Sequence, residues 1–519
     1  MIIAYSREWQ YKDIGDRKQF FVDDDVVACV RNVKRTYHSP KKHPANPLIQ
    51  RDQPWEVLIY PRANSFNVIY DPAERLFKCW YEDQFEFFGV DNERAELCRS
   101  RIYYAESEDG LHWRKPGMGK LFLDGRNTNT VFSYPPYEIA AELSVLLDEH
   151  DPDPARRYKA VYVLRSPNAN RPKRSTMPAP HCAGVSLAFS PNGIDWTPFE
   201  GNPIVTHWGG DAQILTYDPI DRKYVLNGRA DMKWATSHPE SDPWFFPVYP
   251  GNVPGIWGTR RCQYRHESED CIHWTKGELM LEPGPDDNLQ DAYYDFIPWR
   301  AGELHLGILN VFHEVDNTLD MELLYSRDGK AWQHLPGRRP LIARGPEGSY
   351  DSYMLETTNP PVVVGDELWI YYGGGSVHHD WWIFGQAQRL DVPEAKDPRF
   401  AYDGFHICLA TLRLDGWVSL DATIREGYIE TKPVFSAGKH LFINGRCAAG
   451  GTIQVEVMDN WNHVWPGYGK ADCQTFTGDS VHHKVAWTGG DAVNMIPGIV
   501  KLRFHLRDAE LYSFQIADS

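Results

Sequence analysis

Acidic residues recur at one position of the chain, immediately before segments with the pattern of β-hairpins. They are Glu56 in PWEVLIY, Asp211 in GGDAQILTYD, Asp291 in QDAYYDFIPW and Asp351 in SYDSYMLE. A carboxyl group can donate a proton, accept one or attack an electrophilic carbon, so this set predicts general acid, base or nucleophilic catalysis. Glu142 and Glu356 are alternatives whose strand register the sequence does not fix. A structural or purely ligand-binding role is the competing interpretation for every one of these acids, because buried carboxylates commonly accept structural hydrogen bonds.

Aromatic and basic residues lie near the candidate acids. Trp55, Trp208 and Tyr293 flank them in the sequence, and Arg229 and His313 end the strands that follow. An aromatic ring offers an apolar face to a ligand, and a basic group can bind polar substituents or change the pKa of a nearby carboxyl. We predict that these five residues bind substrate. The alternatives are core packing for the rings, and a buried ion pair or a hydrogen-bonded core histidine for the basic residues.

The sequence does not indicate a metal or an organic cofactor. The clusters that resemble metal ligands are His378, His379 and Asp380, and the pair His482 and His483. Adjacent residues on a strand point to opposite faces, so neither histidine pair is expected to chelate one ion. No phosphate-binding glycine loop, dinucleotide fingerprint or Gly-x-Ser-x-Gly segment is present. We therefore predict no cofactor, although a structural cation in a central channel would be compatible with the acids.

Two repeats identify the elements that must position these residues. The first, Ser-x-Asp/Asn-Gly/Cys-x-x-Trp, occurs as SEDGLHW from Ser107, SPNGIDW from Ser190, SEDCIHW from Ser268 and SRDGKAW from Ser326. The second is a hairpin with Asp-Pro or Gly-Asp/Glu at its turn, found in segments that begin at Val68, Val145, Ile214, Ile297 and Val362. Proline and glycine favour tight turns, and β-branched or aromatic residues flank them as in strands. We expect the turn aspartates to accept local hydrogen bonds.

Five hairpins predict five antiparallel units in a nearly all-β chain. Radial closure removes the exposed edges of such units, which predicts a five-bladed β-propeller over residues 1–425. After Trp417 the blade pattern ends, and alternating strands such as VKLRFHL predict a C-terminal β-sandwich over residues 426–519. Long aromatic-rich insertions between strands would wall a central site on one face of the propeller.

Composition excludes several classes of partner. The 54 Lys and Arg against 71 Asp and Glu give a net charge of −17, and no basic run could follow a phosphate backbone. Nowhere do 18 apolar residues run together, so neither nucleic acid nor a membrane is an expected partner. The first thirty residues contain no apolar secretory core, which predicts a cytoplasmic chain, or a secreted or periplasmic one whose signal was removed. The odd set of 9 cysteines predicts reduced thiols.

Taken together, these motifs resemble the five-bladed propeller glycoside hydrolases described as family 32 N-terminal-domain-like, related to families 32, 43 and 68. The resemblance covers nearly the whole chain: FFVDDDVV, HPANPLI and PWE near the start, the four tryptophan turns, and LRLDGWVSLDA then TKPV at the end. It implies a propeller with carboxylates around a central funnel. The chain lacks the Trp-Met-Asn-Asp-Pro-Asn-Gly, Arg-Asp-Pro and Glu-Cys segments of fructan-cleaving members, so fructosidase activity is not implied.

The sequence and the resemblance lead to the expectation of a glycoside hydrolase acting on an oligo- or polysaccharide, with paired carboxylates drawn from Asp211, Asp291, Asp351 and Glu56. A non-catalytic carbohydrate-binding propeller is one alternative. A glycoside phosphorylase is another, in which Arg229, Arg260 and Arg261 would bind phosphate. The sugar, the linkage and the role of each acid stay open, and the chain could form a homo-oligomer.

Overall fold

The computed structural model describes residues 11–61, 65–84, 100–132, 139–165, 182–205, 212–232, 260–288, 291–379, 403–493 and 498–518. Strands β1 to β5 are Lys12–Asp13, Gln19–Phe20, Val27–Arg31, Val33–Tyr37 and Lys41–Lys42. Strands β6 to β11 are Phe66–Asp71, Leu76–Gln84, Ser100–Ser107, Phe122–Leu123, Arg126–Asn127 and Thr130–Phe132. Strands β12 to β19 are Ile139–Leu147, Tyr158–Arg165, Cys182–Ser190, Thr197–Pro198, Gln213–Asp218, Lys223–Met232, Arg260–Ser268 and Glu278–Leu281.

Strands β20 to β27 are Asp291–Ala301, Leu304–His313, Thr318–Ser326, Trp332–His334, Met354–Glu356, Val362–Val364, Glu367–Gly375 and Phe405–Arg413. Strands β28 to β33 are Val418–Ala422, Gly427–Thr431, Val434–Phe435, His440–Met458, Asp479–Lys484 and Lys501–Ala517. Two 3₁₀ turns lie at Pro154–Arg156 and Lys470–Asp472. No α-helix occurs among the described residues, so the prediction of an all-β fold is confirmed. Within the same residues, no helix long and apolar enough to cross a bilayer is found.

The strands between residues 66 and 413 form five successive groups, which we call blades 1 to 5. Blades 1, 2 and 3 are four-stranded sheets in the orders β6-β7-β8-β11, β12-β13-β14-β15 and β16-β17-β18-β19. Blade 4 has the order β20-β21-β22-β23, and it continues through a short parallel contact between β22 and β24 into blade 5. Blade 5 consists of β24, β26 and β27, with β25 also paired to β26.

The outer strand of blade 5 comes from the start of the chain. Strand β5 pairs with β27 through Lys42 opposite Ala410 and Lys41 opposite Thr411. The two ends of the repeated region are thereby joined by backbone hydrogen bonds. Strand β5 thereby covers the edge of β27 and ties the start of the chain to the last blade. Closure of this kind protects the strand edges of a propeller.

Side chains close the same ring through its core. One apolar cluster joins blades 5 and 1, with Phe66 and Phe77 packed among Trp369, Tyr371 and Ile407. Corresponding clusters fill each of the other boundaries between neighbouring blades. Each sheet therefore buries both faces against its neighbours, which explains the near-continuous apolar pattern of the inner strands.

Polar side chains connect the inner strands laterally. Asn67 on β6 donates to Leu143 O of blade 2 and accepts from Val145 N at 2.9 Å. Asn359, which follows β24, accepts from Val68 N at 2.7 Å, and the Asn310 amide of blade 4 donates to Thr357 O at 2.9 Å. These bonds hold blade 1 against blades 2 and 5, and blade 4 against blade 5, close to the inner strands.

The tryptophan turns are built as expected from local hydrogen bonds. In the first turn, Asp109 accepts from Leu111 N at 2.9 Å and His112 N at 2.8 Å, while Trp113 Nε1 donates to Gly110 O at 3.1 Å. The turns that begin at Ser190, Ser268 and Ser326 repeat the contacts of this carboxylate or amide and of the indole. The turn role assigned to these aspartates is confirmed.

The hairpin aspartates do more than the sequence indicated. Asp71 accepts from its own turn and also from both Arg157 Nη atoms at 2.6 Å and from the Tyr158 hydroxyl of blade 2. Asp148 repeats the tyrosine contact one blade further on, accepting from the Tyr224 hydroxyl of blade 3, whereas its cation, Lys159 Nζ at 2.5 Å, comes from the second strand of its own blade. Each hairpin is thus tied to the second strand of the following blade at the end opposite the inner-strand starts.

The C-terminal residues form a curved sheet whose long strands β31 and β33 pair over most of their lengths. Strand β33 also pairs with β28 and β29, which in turn pair with β4 and β3 near the start of the chain. Strands from both sides of the expected boundary at 425/426 therefore share one sheet. The sheet contacts the propeller where Arg413 Nε donates to Asn444 Oδ1 at 2.8 Å. The boundary and the sandwich arrangement stay predictions.

Candidate active site

Asp291 is held at the first position of β20, the inner strand of blade 4. It is the first residue of β20 and lies directly opposite His313, the last residue of β21. Its Oδ1 accepts from His313 Nδ1 at 2.8 Å, and its Oδ2 accepts from the Asn288 side-chain amide at 2.9 Å. The predicted acid and the predicted histidine are therefore brought together by strand register. Asn288, three residues upstream, was not identified from the sequence.

His313 connects two carboxylates. Its Nε2 lies 3.3 Å from Asp320 Oδ2, and Arg344 Nε lies 3.2 Å from the other oxygen of Asp320. Burial alone would lower the pKa of His313, but hydrogen bonds to Asp291 and Asp320 outweigh that effect and raise the pKa to about 9. The imidazole is thus cationic at neutral pH, and a cation beside a carboxylate favours its ionised form. This arrangement suits Asp291 to the role of base or nucleophile.

Two arginines share a tyrosine ring next to this group. The guanidinium carbons of Arg229 and Arg261 each lie 4.6 Å from the ring centroid of Tyr294, and Arg261 lies 5.5 Å from that of Phe312. Arg229 is 6% exposed and Arg261 8% exposed. Tyr294 follows Asp291 by three residues on β20 of blade 4, whereas the arginines lie on β17 and β18 of blade 3, so they contact blade 4 from the neighbouring sheet. Buried, stacked guanidinium groups are well suited to recognition of carboxylate or phosphate.

His379 and His378 point to opposite sides, as expected for neighbours. His379 stacks on Phe312 with ring centroids 4.0 Å apart, and its edge meets Tyr294 at 5.2 Å. His378 instead packs against Tyr353 at 4.0 Å. His379 therefore joins the aromatic and arginine cluster, whereas His378 does not. Asp380, the third member of this sequence cluster, lies outside the described residues.

Glu56 lies in a buried network of blade 1. Lys115 Nζ donates to its two oxygens at 2.8 and 3.0 Å, and the Tyr81 hydroxyl donates at 2.6 Å. Backbone N–H groups of residues 52 and 53 also donate to Glu56. The adjacent Trp55 donates its indole N–H to Asn129 Oδ1 at 2.9 Å. These contacts give Glu56 and Trp55 structural roles in holding this loop; their roles in catalysis and substrate binding stay predictions.

Asp351 is paired with a lysine from the start of the chain. Its Oδ2 lies 2.5 Å from Lys42 Nζ and accepts from the Tyr372 hydroxyl at 3.0 Å. Lys42 belongs to β5, so this ion pair reinforces the closure of blade 5. Gly374 on β26 permits the close approach, because a Cβ there would lie 3.0 Å from Asp351 Cβ. The predicted catalytic role of Asp351 is untested by these contacts.

The remaining predicted site residues divide into two groups. Tyr293 is 2% exposed, and its hydroxyl donates to Asp287 at 3.1 Å and lies 3.2 Å from His334 Nε2, so it is part of the internal structure of blade 4. Its predicted contact with substrate stays a prediction. Asp211 and Trp208 lie outside the described residues, and so does the Arg260 side chain.

One further carboxyl has an environment that sequence reasoning missed. Asp83, near the end of β7, accepts from Leu58 N at 2.7 Å and Val57 N at 3.0 Å. Burial raises its pKa to about 6, and these backbone hydrogen bonds oppose the rise only in part. The sequence EDQ after an apolar run offered a weak signal, namely adjacent acids at the end of a second strand.

A group that could hold a cation lies at the hairpin end of blade 3, away from Asp291. Ligand atoms of Asp218, Asp221 and His305 lie within 4.8 Å of one another. Arg300 already places a positive charge there, with its Nη1 in contact with His305 and 4.0 Å from Asp218. This group is the third member of the series begun by Asp71 and Asp148, with a histidine where the others have tyrosine. It fits a link between blades, and the cation in the central channel stays a prediction.

Comparisons with known proteins give similar structures only. No protein-family model matches the chain, and no curated protein matches it. The β-1,2-mannobiose phosphorylase from Listeria innocua is 14% identical, with 72% of this chain and 96% of that chain covered and a TM-score of 0.44. The GH32 β-fructofuranosidase of Bombyx mori is 11% identical, with 93% and 95% covered and a TM-score of 0.40. An N-acetylgalactosamine deacetylase from F. plautii is 12% identical, with 74% and 96% covered and a TM-score of 0.41.

Glycoside hydrolases and phosphorylases recur among these similar structures. At these identities and scores the reaction is not assigned by likeness, and it has to be inferred from the site itself.

Proposed function

We propose that this chain is a glycoside hydrolase that uses Asp291 as the ionised carboxylate of its catalytic pair. The observation that supports this most is the bond from a cationic His313 to Asp291 at the opening of an inner strand. Cleavage of a glycosidic bond needs one ionised carboxylate to attack the anomeric carbon or activate water, and one protonated carboxyl to assist the leaving oxygen. The site offers the first of these groups in a fixed orientation.

The protonated partner is drawn from the other acids. Asp211 is the strongest choice in the sequence, because it precedes the inner strand of the neighbouring blade 3 and its flanking Trp208 could cover a sugar ring. Glu56 and Asp351 are each paired with a buried or half-buried lysine and also accept a hydrogen bond from a buried tyrosine hydroxyl. We therefore assign them to structure ahead of catalysis.

The test is turnover of oligosaccharides and aryl glycosides, pyranosides and furanosides together. Replacement Asp291→Asn should lower kcat by about 100-fold or more, the usual contribution of a positioned acid or base. Asp328→Asn is the matched control, because Asp328 is a turn carboxylate of the same blade and should leave kcat unchanged. Full activity of Asp291→Asn would contradict the proposal. Binding of glycans without turnover by the wild type would favour the non-catalytic propeller.

The arginine pair favours phosphorolysis as a second candidate function. Arg229 and Arg261 supply two guanidinium groups against Tyr294, which follows Asp291 by three residues, and a phosphorylase needs cationic groups to bind phosphate in place of water. In that reaction the phosphate oxygen attacks the anomeric carbon, the glycosidic bond breaks and a sugar 1-phosphate forms. Adding inorganic phosphate should then increase turnover and yield that product, and Arg261→Met should raise the KM for phosphate. Turnover that is independent of phosphate identifies the hydrolase.

A further inference from the structure

A loop before β20 carries a buried carboxylate that the proposed reaction does not itself use. Asp287 accepts from Arg338 Nη2 at 2.7 Å, from the Tyr293 hydroxyl at 3.1 Å and from Gly284 N at 2.5 Å. The next residue is Asn288, whose amide donates to Asp291 at 2.9 Å. The backbone also connects these residues, since Asp291 N donates to Asn288 O at 3.0 Å. Asp287 is therefore adjacent in the chain to the donor that contacts Asp291.

Arg338 and Tyr293, which hold Asp287, are joined to each other by a closed network through Glu322 and His334. Arg338 Nε donates to Glu322 Oε2 at 3.1 Å, and the same oxygen lies 2.8 Å from His334 Nδ1. His334 Nε2 then lies 3.2 Å from the Tyr293 hydroxyl. Arg338 thus bridges the carboxylates of Glu322 and Asp287. His334 connects Glu322 to the Tyr293 hydroxyl.

The backbone at Arg338 is strained in a way that serves this bridge. The φ of Arg338 is 37°, in the left-handed region that is unfavourable for residues other than glycine. The preceding residue, Gly337, has a φ of 87°. Strained positions persist where surrounding contacts compensate for them, and they concentrate at functional sites. Here the compensating contacts are those that fix the loop of Asp287.

We propose that Asp287, held by Arg338 and Tyr293, is a positioning residue that orients Asp291 through Asn288. This inference rests on the proposed function of Asp291. The competing explanation is that Asp287 only stabilises the fold, as buried ion pairs commonly do. The chain contains a matched case for comparison in Asp71, which also accepts from an arginine and a tyrosine hydroxyl but lies at the hairpin end.

The two carboxylates are equally buried, since the side chain of Asp287 is 3% exposed and that of Asp71 is 0% exposed. Their arginine partners, Arg338 and Arg157, are 23% and 22% exposed. Asp287→Asn and Asp71→Asn should therefore lose similar amounts of stability. Only Asp287→Asn should lower kcat, by about 10- to 100-fold with KM little changed, as expected for a misplaced catalytic group. Tyr293→Phe against Tyr158→Phe provides a second, milder pair if either aspartate variant fails to fold.

A readout that does not need turnover separates this inference from the proposed function. The imidazole of His313 reports on Asp291, so its NMR titration in Asp287→Asn should move down by about one unit from the wild-type value, while Asp71→Asn leaves it unchanged. An unchanged titration of His313 in both variants would overturn the proposal, as would equal losses of kcat. A shifted titration with full kcat would also overturn it. If the wild type has no glycosidase activity, the proposed function fails and the titration alone decides the orienting role.

Discussion

The charge on His313 is the property of the site that can be tested most directly. Its pKa of about 9 lies about 2.5 units above the ordinary value of 6.5. At about 1.4 kcal/mol per unit, the folded protein favours the imidazolium by about 3 kcal/mol. Because the pKa is raised on folding, this stabilisation is fully present below pH 6.5 and is lost as pH rises through about 9.

Two perturbations follow from the geometry. Asp291→Asn and Asp320→Asn each remove one of the two anions that contact the ring, so each should lower the pKa of His313 by about one unit or more. Removing both should bring the pKa below 6.5, because burial, which lowers it, then acts without opposition. The Asp109→Asn variant of an exposed turn should leave it unchanged.

The assay combines two measurements. The titration of His313 is followed by NMR with labelled histidine, assigned by its loss in His313→Gln. In parallel, the unfolding free energies of wild type and His313→Gln are compared from pH 6 to 10, and the advantage of the wild type should shrink by about 3 kcal/mol over that range. A wild-type pKa near 6.5, or an advantage that grows with pH, would refute the assignment of His313 as the cationic partner of Asp291.

Two further predictions concern the packing within the blades and between them. Lys159→Met leaves the buried Asp148 without its cation and should lower the unfolding free energy, measured with denaturant, by about 3–5 kcal/mol. Lys223→Met breaks an ion pair whose lysine is half-exposed and should lower it by about 1 kcal/mol or less. Equal losses in the two variants would contradict the burial of the first pair. Gly110→Ala should destabilise by about 3 kcal/mol, because a Cβ there lies 2.5 Å from a tyrosine hydroxyl and φ is 72°. At Gly119 φ is 69° and a Cβ would have no atom within 4 Å, so Gly119→Ala should lower the unfolding free energy by only about 1 kcal/mol. A similar loss in Gly110→Ala and Gly119→Ala would show that backbone strain alone, and not the clash at Gly110, is responsible.

The repeated turns could be predicted from the sequence because their bonds are local. In the turn of Ser107 the donors and acceptors lie within three residues of one another, so the pattern Ser-x-Asp-Gly-x-x-Trp already contains all partners. Alternation of apolar residues likewise predicted the strands, and the hairpin turns predicted their pairing. The all-β class and the succession of five groups follow from this local information.

The function of each acid could not be predicted in the same way. Glu56, Asp291 and Asp351 stand at similar positions in the sequence, yet they meet Lys115, His313 and Lys42 respectively. The lysine partner of Asp351 comes from the opposite end of the repeated region, and that of Glu56 lies 59 residues away. The two lysine partners are brought in by long-range contacts that the sequence near each acid does not reveal, whereas His313 meets Asp291 through the register of a single hairpin.

The sequence by itself thus determined the elements: strands, tight turns and a set of carboxylates placed before inner strands. Only the tertiary structure decided which carboxylate faces a cationic histidine and which is neutralised by a lysine. The physical reason is that turn and strand formation depend on neighbours within a few residues, whereas the charge state and orientation of a buried carboxylate depend on groups that long-range pairing brings within hydrogen-bond distance.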